Sequence, residues 1–176
     1  ICTWNYNREN RVLVDYTKLA PSLVQALVAT EDVRFYDHSG IDFYALGRAI
    51  VKRGVLGQKS AGGGSTITQQ LAKQLYSEHA STTLERALQK PIEWVIALKL
   101  ERNYTKDEII TMYLNNFDFL HNAVGIKTAS NVYFSKDPKD LTVSEAASLV
   151  GLCKTPSLYN PVRHPERSRE RRNVVL

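Results

Sequence analysis

Glu31 and Asp32 open an acidic, aromatic and histidine-bearing segment, EDVRFYDHSG at 31–40, and a glycine-rich segment ending in a lysine, GGGSTITQQLAK, follows at 62–73. Gly62, Gly63 and Gly64 allow positive φ and a close backbone approach to a ligand, and Ser65 or Thr66 can cap a helix that begins there. A turn of free N–H groups would then meet the positive end of a helix dipole, an arrangement that binds anions. On that helix the 3.6-residue period places Thr66, Gln69, Gln70 and Lys73 on one polar stripe, with Ile67, Leu71 and Leu75 opposite. Two amides and an ammonium along one face suit a long polar ligand carrying a diphosphate. A flexible loop followed by a solvated face would read the same way. A nucleotide P-loop does not fit, because no Gly-Lys-Ser/Thr follows the glycines at the required spacing.

The acidic segment sits at the end of an apolar helix pattern. Pro21 suits the first turn of a helix through Leu23, Val24, Leu27 and Val28, and Glu31 continues the stripe of Leu23 and Leu27 at i+4 steps. A carboxylate so placed is half desolvated, which raises its pKa toward the range of a general base. The alternative is that Glu31 and Asp32 form a solvated helix end, with Arg34 or His38 as ion-pair partners. In TLERALQKPIEW at 83–94, Arg86, Lys90 and Glu93 fall at i, i+4 and i+7, on one face of a single helix. Pro91 disfavours helix at Lys90, so it would instead start a new helix with Glu93 in its first turn. A second carboxylate flanked by cations suits a metal or a departing diphosphate; a surface charge ladder is the plain alternative. The four histidines show no metal-ligand spacing and the two cysteines are far apart, which favours a structural hydrogen bond for His38 over zinc.

The elements that must position these groups are helical. Helices are expected near 21–32, 42–53, 66–76, 83–103, 106–115, 122–132 and 143–151, with another from about 165. Asp42, Thr66, Thr105 and Thr142 are candidate N-caps, with capping boxes from Thr105 to Glu108 and from Thr142 to Glu145; Gly54 and Gly151 are candidate stops. RVLVDY at 11–16 is the clear strand candidate, and GVLGQKSAG at 54–62 a flap or a membrane-touching loop. The 176 residues suffice for one core, hence a single domain over 1–176. A net charge of +5 and a pI near 9.2 favour an anionic partner: nucleic acid, anionic lipid or a phosphorylated substrate. Much of that excess lies in VRHPERSRERR at 162–172, a run that suits a solvated helix. No stretch approaches about twenty apolar residues, the length needed to span a bilayer.

The strings EDVRFYDHSGID, GGGSTITQQLAKQLY, QKPIE with WVIALKLER, KDEIITMYLNNFDF with AVGIKTAS, and LTVSEAASLVGLCKTPSLYNP together resemble, in order, the five motif regions of the peptidoglycan glycosyltransferases. These are the glycan-polymerising domains of class A penicillin-binding proteins and monofunctional transglycosylases. The resemblance covers roughly residues 15–162. It implies a mainly α, lysozyme-like helical glycosyltransferase fold with a small membrane-facing jaw subdomain, and lipid II and the growing glycan strand as substrates. It makes Glu31 the general base that activates the 4-hydroxyl of the acceptor sugar, and puts Glu93 near the diphosphate. Phe35, Gly64, Ser65, Thr66, Gln69, Gln70 and Lys73 fall on substrate-binding motif positions, with Arg86 and Lys90 as further cations.

The resemblance further implies no obligatory cofactor, with Mg²⁺ or Mn²⁺ at the diphosphate as an optional one and no dedicated protein metal site. It implies contact with the membrane surface, inhibition by phosphoglycolipids of the moenomycin type and no nucleic-acid partner. The expected location is the outer side of the bacterial cytoplasmic membrane. The chain opens at Ile1 without a leader, so it reads as a domain cut from a protein with an N-terminal membrane anchor and a C-terminal transpeptidase domain. Two positions depart from the pattern: Gln89 stands where motif three has an arginine, and Thr111 where motif four often has a glutamate. Arg86, one turn before Gln89, could supply the missing charge. Two other classes stay open: a lysozyme-like enzyme that cleaves glycan, and a silent glycan- or lipid-binding module.

Overall fold

A computed structural model describes residues 12–51, 64–76 and 83–176, with the side chains of its longest helix described from Leu88 onward. Eight helices are described: α1 (Pro21–Glu31), α2 (Phe43–Ile50), α3 (Ile67–Tyr76), α4 (Thr83–Asn103), α5 (Lys106–Asn116), α6 (Ile126–Phe134), α7 (Val143–Lys154) and α8 (Pro165–Val175). Single 3-10 turns lie at Tyr16–Lys18 and Pro138–Asp140, and no strand occurs among the described residues. The mainly α expectation holds. The chain divides into two compact units, one of residues up to Thr30 together with Ile110–Leu176, the other Glu31–Ile109.

In the first unit Leu23 and Leu27 of α1, and Ile110, Tyr113 and Leu114 of α5, are fully buried. Each such side chain contributes about 1.5–3 kcal/mol. The strand expected over 11–16 is absent, and Arg11 lies outside the described residues. Residues 12–15 form no regular element, and Val14 is held by a side chain: Asn115 accepts from the Val14 N–H (3.2 Å) and donates to the Val14 carbonyl (2.9 Å). One buried amide thus does for Val14 what an adjacent strand would do, and the β-rich pattern needs no ladder.

The helix expected from 122 starts at Ile126 instead. Leu120, His121 and Asn122 have φ of 66°, 52° and 60°, a left-handed turn that ends at an Asp118–Val124 bridge and a Gly125 N-cap at φ 83°. Propensity does not anticipate three successive non-glycine residues there. Gly151 does not stop α7, which continues to Lys154. A Cβ at Gly151 would stand 3.2 Å from Cγ of Arg171, so this glycine lets α8 pack closely on α7. The helix placed at 42–53 is described as far as Val51, and Gly54 with the 54–62 segment lies outside the described residues.

Both expected capping boxes form. Thr105 and Glu108 bond reciprocally, and Thr142 caps α7 with Glu145 bonding back to the Thr142 N–H at 2.8 Å. The Lys136 ammonium on Glu145, then the Thr142 N–H, hold the Glu145 carboxyl below its ordinary 4.5. A depressed folded-state pKa means the stabilisation is present above about pH 4.5 and fades as pH falls through the lower folded value. Thr142→Ala should lower Tm by about 2–4 °C in a thermal melt at neutral pH. The difference between wild type and Glu145→Gln should shrink on acidification below pH 4.5.

The second unit carries α2, α3 and α4, with α3 packed on α4. Its core is unusually polar. Beside Phe35, Ile67, Leu71, Ala97 and Leu100 it buries Asp32, Asp42, Thr66, Thr68, Gln69 and Glu93. Buried polar groups are costly unless bonded, so their partners define what this unit is built to hold.

Candidate active site

Pro91 lies inside α4, which runs unbroken from Thr83 to Asn103, so no new helix starts there. The cost of an interior proline, about 3 kcal/mol, is offset in part by burial of Ala97 and Leu100 on the inward face of the same helix. Continuity of α4 brings Lys90 Nζ to 2.7 Å from Glu93 Oε2, at i, i+3. Glu93 is 4% exposed, whereas the Lys90 side chain keeps 47% of its surface and can reach a ligand. Arg86 belongs to α4, but its side chain is outside the described residues. Gln89 is half-buried.

Glu31 is the last residue of α1 and is half-buried. Gln70 of α3 donates to its Oε2 at 3.2 Å, joining the acidic segment to the glycine-rich one. Asp32, next in the chain, points into the core. Its carboxylate faces His38 Nε2 at 3.0 and 3.1 Å and accepts the Ile67 N–H at 3.0 Å. The Gly40 N–H donates to His38 Nδ1 at 3.1 Å, which leaves the ring proton on Nε2, toward Asp32. His38 therefore makes the structural hydrogen bond expected of it, with Asp32 as its partner, and Asp32 is buried instead of solvated.

At the α3 N-terminus the expected Thr66 cap forms. Thr66 accepts from the Gln69 N–H at 3.1 Å and donates to the Gly40 carbonyl at 2.6 Å. Gln69 returns the bond through Oε1 to the Thr66 N–H (3.4 Å) and the Ser65 hydroxyl (3.2 Å). Three of the leading N–H groups are thus taken, that of Thr66 by Gln69, that of Ile67 by the Asp32 carboxylate and that of Gln69 by Thr66. Thr66 and Gln69 are buried, so the single polar stripe from Thr66 to Lys73 does not form, and Leu75, expected opposite it, is partly exposed. Of that expected stripe, Gln70, half-buried, and Lys73, exposed, keep accessible surface. Gly64 serves close approach of another kind: a Cβ there would lie 3.3 Å from Leu46 Cα and Ala49 Cβ, so it seats the turn on α2. Gly62 and Gly63 lie outside the described residues.

Phe35 has no exposed surface. Its ring meets Tyr36 and His38 edge-on and lies 4.4 Å from the Lys106 ammonium, so it anchors the 31–40 loop from below and offers a ligand no face. A cavity of about 350 Å³ between Arg34, Ile41, Phe43, Tyr44 and Leu98 contains neither Glu31 nor Glu93, and is apart from this chemistry. Among the described residues no group of three or more His, Cys, Asp or Glu side chains converges as a metal site. Mg²⁺ is commonly held by one or two carboxylates plus substrate phosphates, and Glu93 with its buried carboxylate fits that mode from the protein side.

Sequence reasoning passed over Thr68, Glu101 and Lys106. A signal was present: Glu93, Ala97 and Glu101 repeat at i+4 on the face of α4 that buries its apolar residues, so two carboxylates had to point inward.

A helical unit that aims one half-buried carboxylate beside a lysine-bearing helix, with a second carboxylate buried under another lysine, suits transfer of an activated glycosyl group. The family model described as Transglycosylase matches residues 1–176. The chain belongs to that family and with it to the peptidoglycan glycosyltransferases. It is 46% identical to Penicillin-binding protein 1F of Bacillus subtilis over 168 residues, which are 96% of this chain and 23% of that protein. It is 43% identical to Penicillin-binding protein 1A/1B of Bacillus subtilis over 169 residues, 96% of this chain and 18% of that protein. Penicillin-binding protein 1A of Aquifex aeolicus matches at 43% over 169 residues, 96% of this chain and 22% of that protein. The chain therefore spans about a fifth of the length of these curated relatives.

Proposed function

We propose that this domain polymerises lipid II into glycan strands by inverting transfer. Glu31 takes the proton from the 4-hydroxyl of the acceptor N-acetylglucosamine as that oxygen attacks C1 of the donor N-acetylmuramic acid. The new C–O bond forms as the bond from C1 to the undecaprenyl diphosphate breaks, and the diphosphate leaves on the opposite face. An inverting displacement needs its base on the face away from the leaving group and no covalent intermediate. The observation that carries this reading is the Gln70–Glu31 hydrogen bond: it fixes the base relative to the helix that bears Lys73. Lys73 and Lys90, both exposed, are the ammonium groups assigned to the diphosphate, where fixed positive charge favours departure. Glu93 orients Lys90, and would hold a divalent cation, when one binds, that neutralises the phosphates.

The same reading puts the domain against the outer face of the cytoplasmic membrane. Supporting this are Val33, Tyr36, Phe43, Tyr44 and Ile50, all exposed on the 31–40 loop and α2 alongside Arg34 and Arg48. Such a mixture of apolar, aromatic and cationic groups suits an interface between headgroups and acyl chains. No described helix is long and apolar enough to cross a membrane. Phosphoglycolipid inhibitors of the moenomycin type would compete for the donor groups on α3 and α4.

The test is incubation of the purified protein with labelled lipid II and, separately, with finished glycan. Polymer is expected from the first and no change in the second. Release of short fragments from finished glycan without polymer from lipid II would establish the hydrolase instead.

A further inference from the structure

Three polar side chains with no part in the proposed proton and phosphate chemistry are bonded together where α3, α4, the start of α5 and the 31–40 loop meet. Thr68 is fully buried and donates to Glu101 Oε1 at 2.5 Å. The Glu101 side chain, 6% exposed, takes the Lys106 ammonium on both oxygens, at 2.9 and 2.8 Å. The same ammonium donates to the His38 carbonyl at 2.6 Å and stands 4.4 Å from the centre of the Phe35 ring. Two of the three ammonium donors are thus used, on Glu101 Oε1 and the His38 carbonyl, and Glu101 Oε2 lies within ion-pair distance. Gly40 completes the contact. At φ +96°, with a would-be Cβ only 3.1 Å from the Ala97 carbonyl group and 3.2 Å from Glu101 Cγ, it lets the loop backbone lie directly on α4.

We propose that Lys106 is a positioning residue for glycosyl transfer. Through His38 and Phe35 it holds the loop that begins at Glu31, and through Glu101 and Thr68 it holds α3 two residues before Gln70. It thereby sets the spacing between the base and the helix that carries Gln70 and Lys73. The inference rests on the lipid II reading above and adds to it a residue that touches neither substrate nor reacting atoms. A buried ion pair adds little net stability over apolar packing of the same volume. What it supplies here is a fixed geometry among three segments, and displacing catalytic groups by about 1 Å costs up to 10²-fold in rate.

The test compares Lys106→Met, Lys106→Arg and the double variant Glu101→Gln/Lys106→Met with wild type, measuring Tm together with kcat and KM for lipid II. Lys106→Met strands the Glu101 carboxylate, so both Tm and kcat should fall. The double variant removes both charges and should regain most of the Tm while kcat stays about 10- to 100-fold low, with KM little changed. Lys106→Arg should recover part of kcat, because it restores a cation within reach of Glu101 and the His38 carbonyl. Wild-type kcat in the double variant, or a kcat that tracks only the folded fraction across the series, would overturn the assignment. Wild-type enzyme run alongside keeps the readings apart: absence of polymer there counts against lipid II as substrate, whereas an active wild type with an equally active double variant counts against Lys106 alone.

Discussion

Glu31→Gln is expected to lower turnover of lipid II by about 10²- to 10⁴-fold, the range a general base contributes, while leaving substrate binding nearly unchanged. Glutamine keeps the size of the side chain and a carbonyl oxygen that can still accept from Gln70, now 3.2 Å from the carboxylate. What it loses is the capacity to take a proton. Because Glu31 is half-buried at the end of α1, removing its charge should leave Tm close to wild type. The measurement is polymer formation from labelled lipid II in parallel with lipid II binding and a thermal melt. Turnover within tenfold of wild type would mean that another group activates the acceptor. Loss of binding together with turnover would mean that Glu31 grips the substrate instead of activating it.

What the sequence disclosed followed from local rules. The capping boxes at Thr105 and Thr142, the Asp42 cap of α2 and the start of α1 at Pro21 depend on residues three or four apart, and all four formed. The pairing of the acidic segment with the glycine-rich one was legible too, and Gln70 joins them. What stayed hidden depends on partners far along the chain. RVLVDY reads as strand, yet the group that satisfies Val14 is Asn115, one hundred and one residues on. GGGST reads as an anion cradle, and nothing nearby reveals that Asp32, thirty-five residues before Ile67, takes the Ile67 N–H. Thr66, Gln69 and Phe35 match substrate-binding motif positions, yet each is buried and orders the turn or loop that a ligand would meet. A motif records which residue types stand at which spacing. It does not record which of them face inward.

Asp32 is the most consequential of the inward groups, and Asp32→Ala is expected to be the most destabilising single truncation in the second unit. It would leave two buried donors without an acceptor, the Ile67 N–H at the head of α3 and the His38 Nε2–H. Each orphaned donor costs about 1–3 kcal/mol, so the total of about 2–6 kcal/mol is a large share of the 5–15 kcal/mol that keeps a typical domain folded. At about 2–4 °C per kcal/mol for a chain of this length, Tm should fall by roughly 10 °C. Asp32→Asn should fall between the two: its oxygen can still accept from Ile67, but its NH₂ meets the His38 N–H donor to donor. Both variants should lose polymerisation out of proportion to the unfolded fraction at the assay temperature, since α3 carries Gln70 and Lys73 and would no longer be fixed to the segment that carries Glu31. An Asp32→Ala protein melting within about 2 °C of wild type would show that the Thr66 bond to Gly40 suffices to seat α3, and the link between base and donor helix would then rest on Gln70 and Lys106.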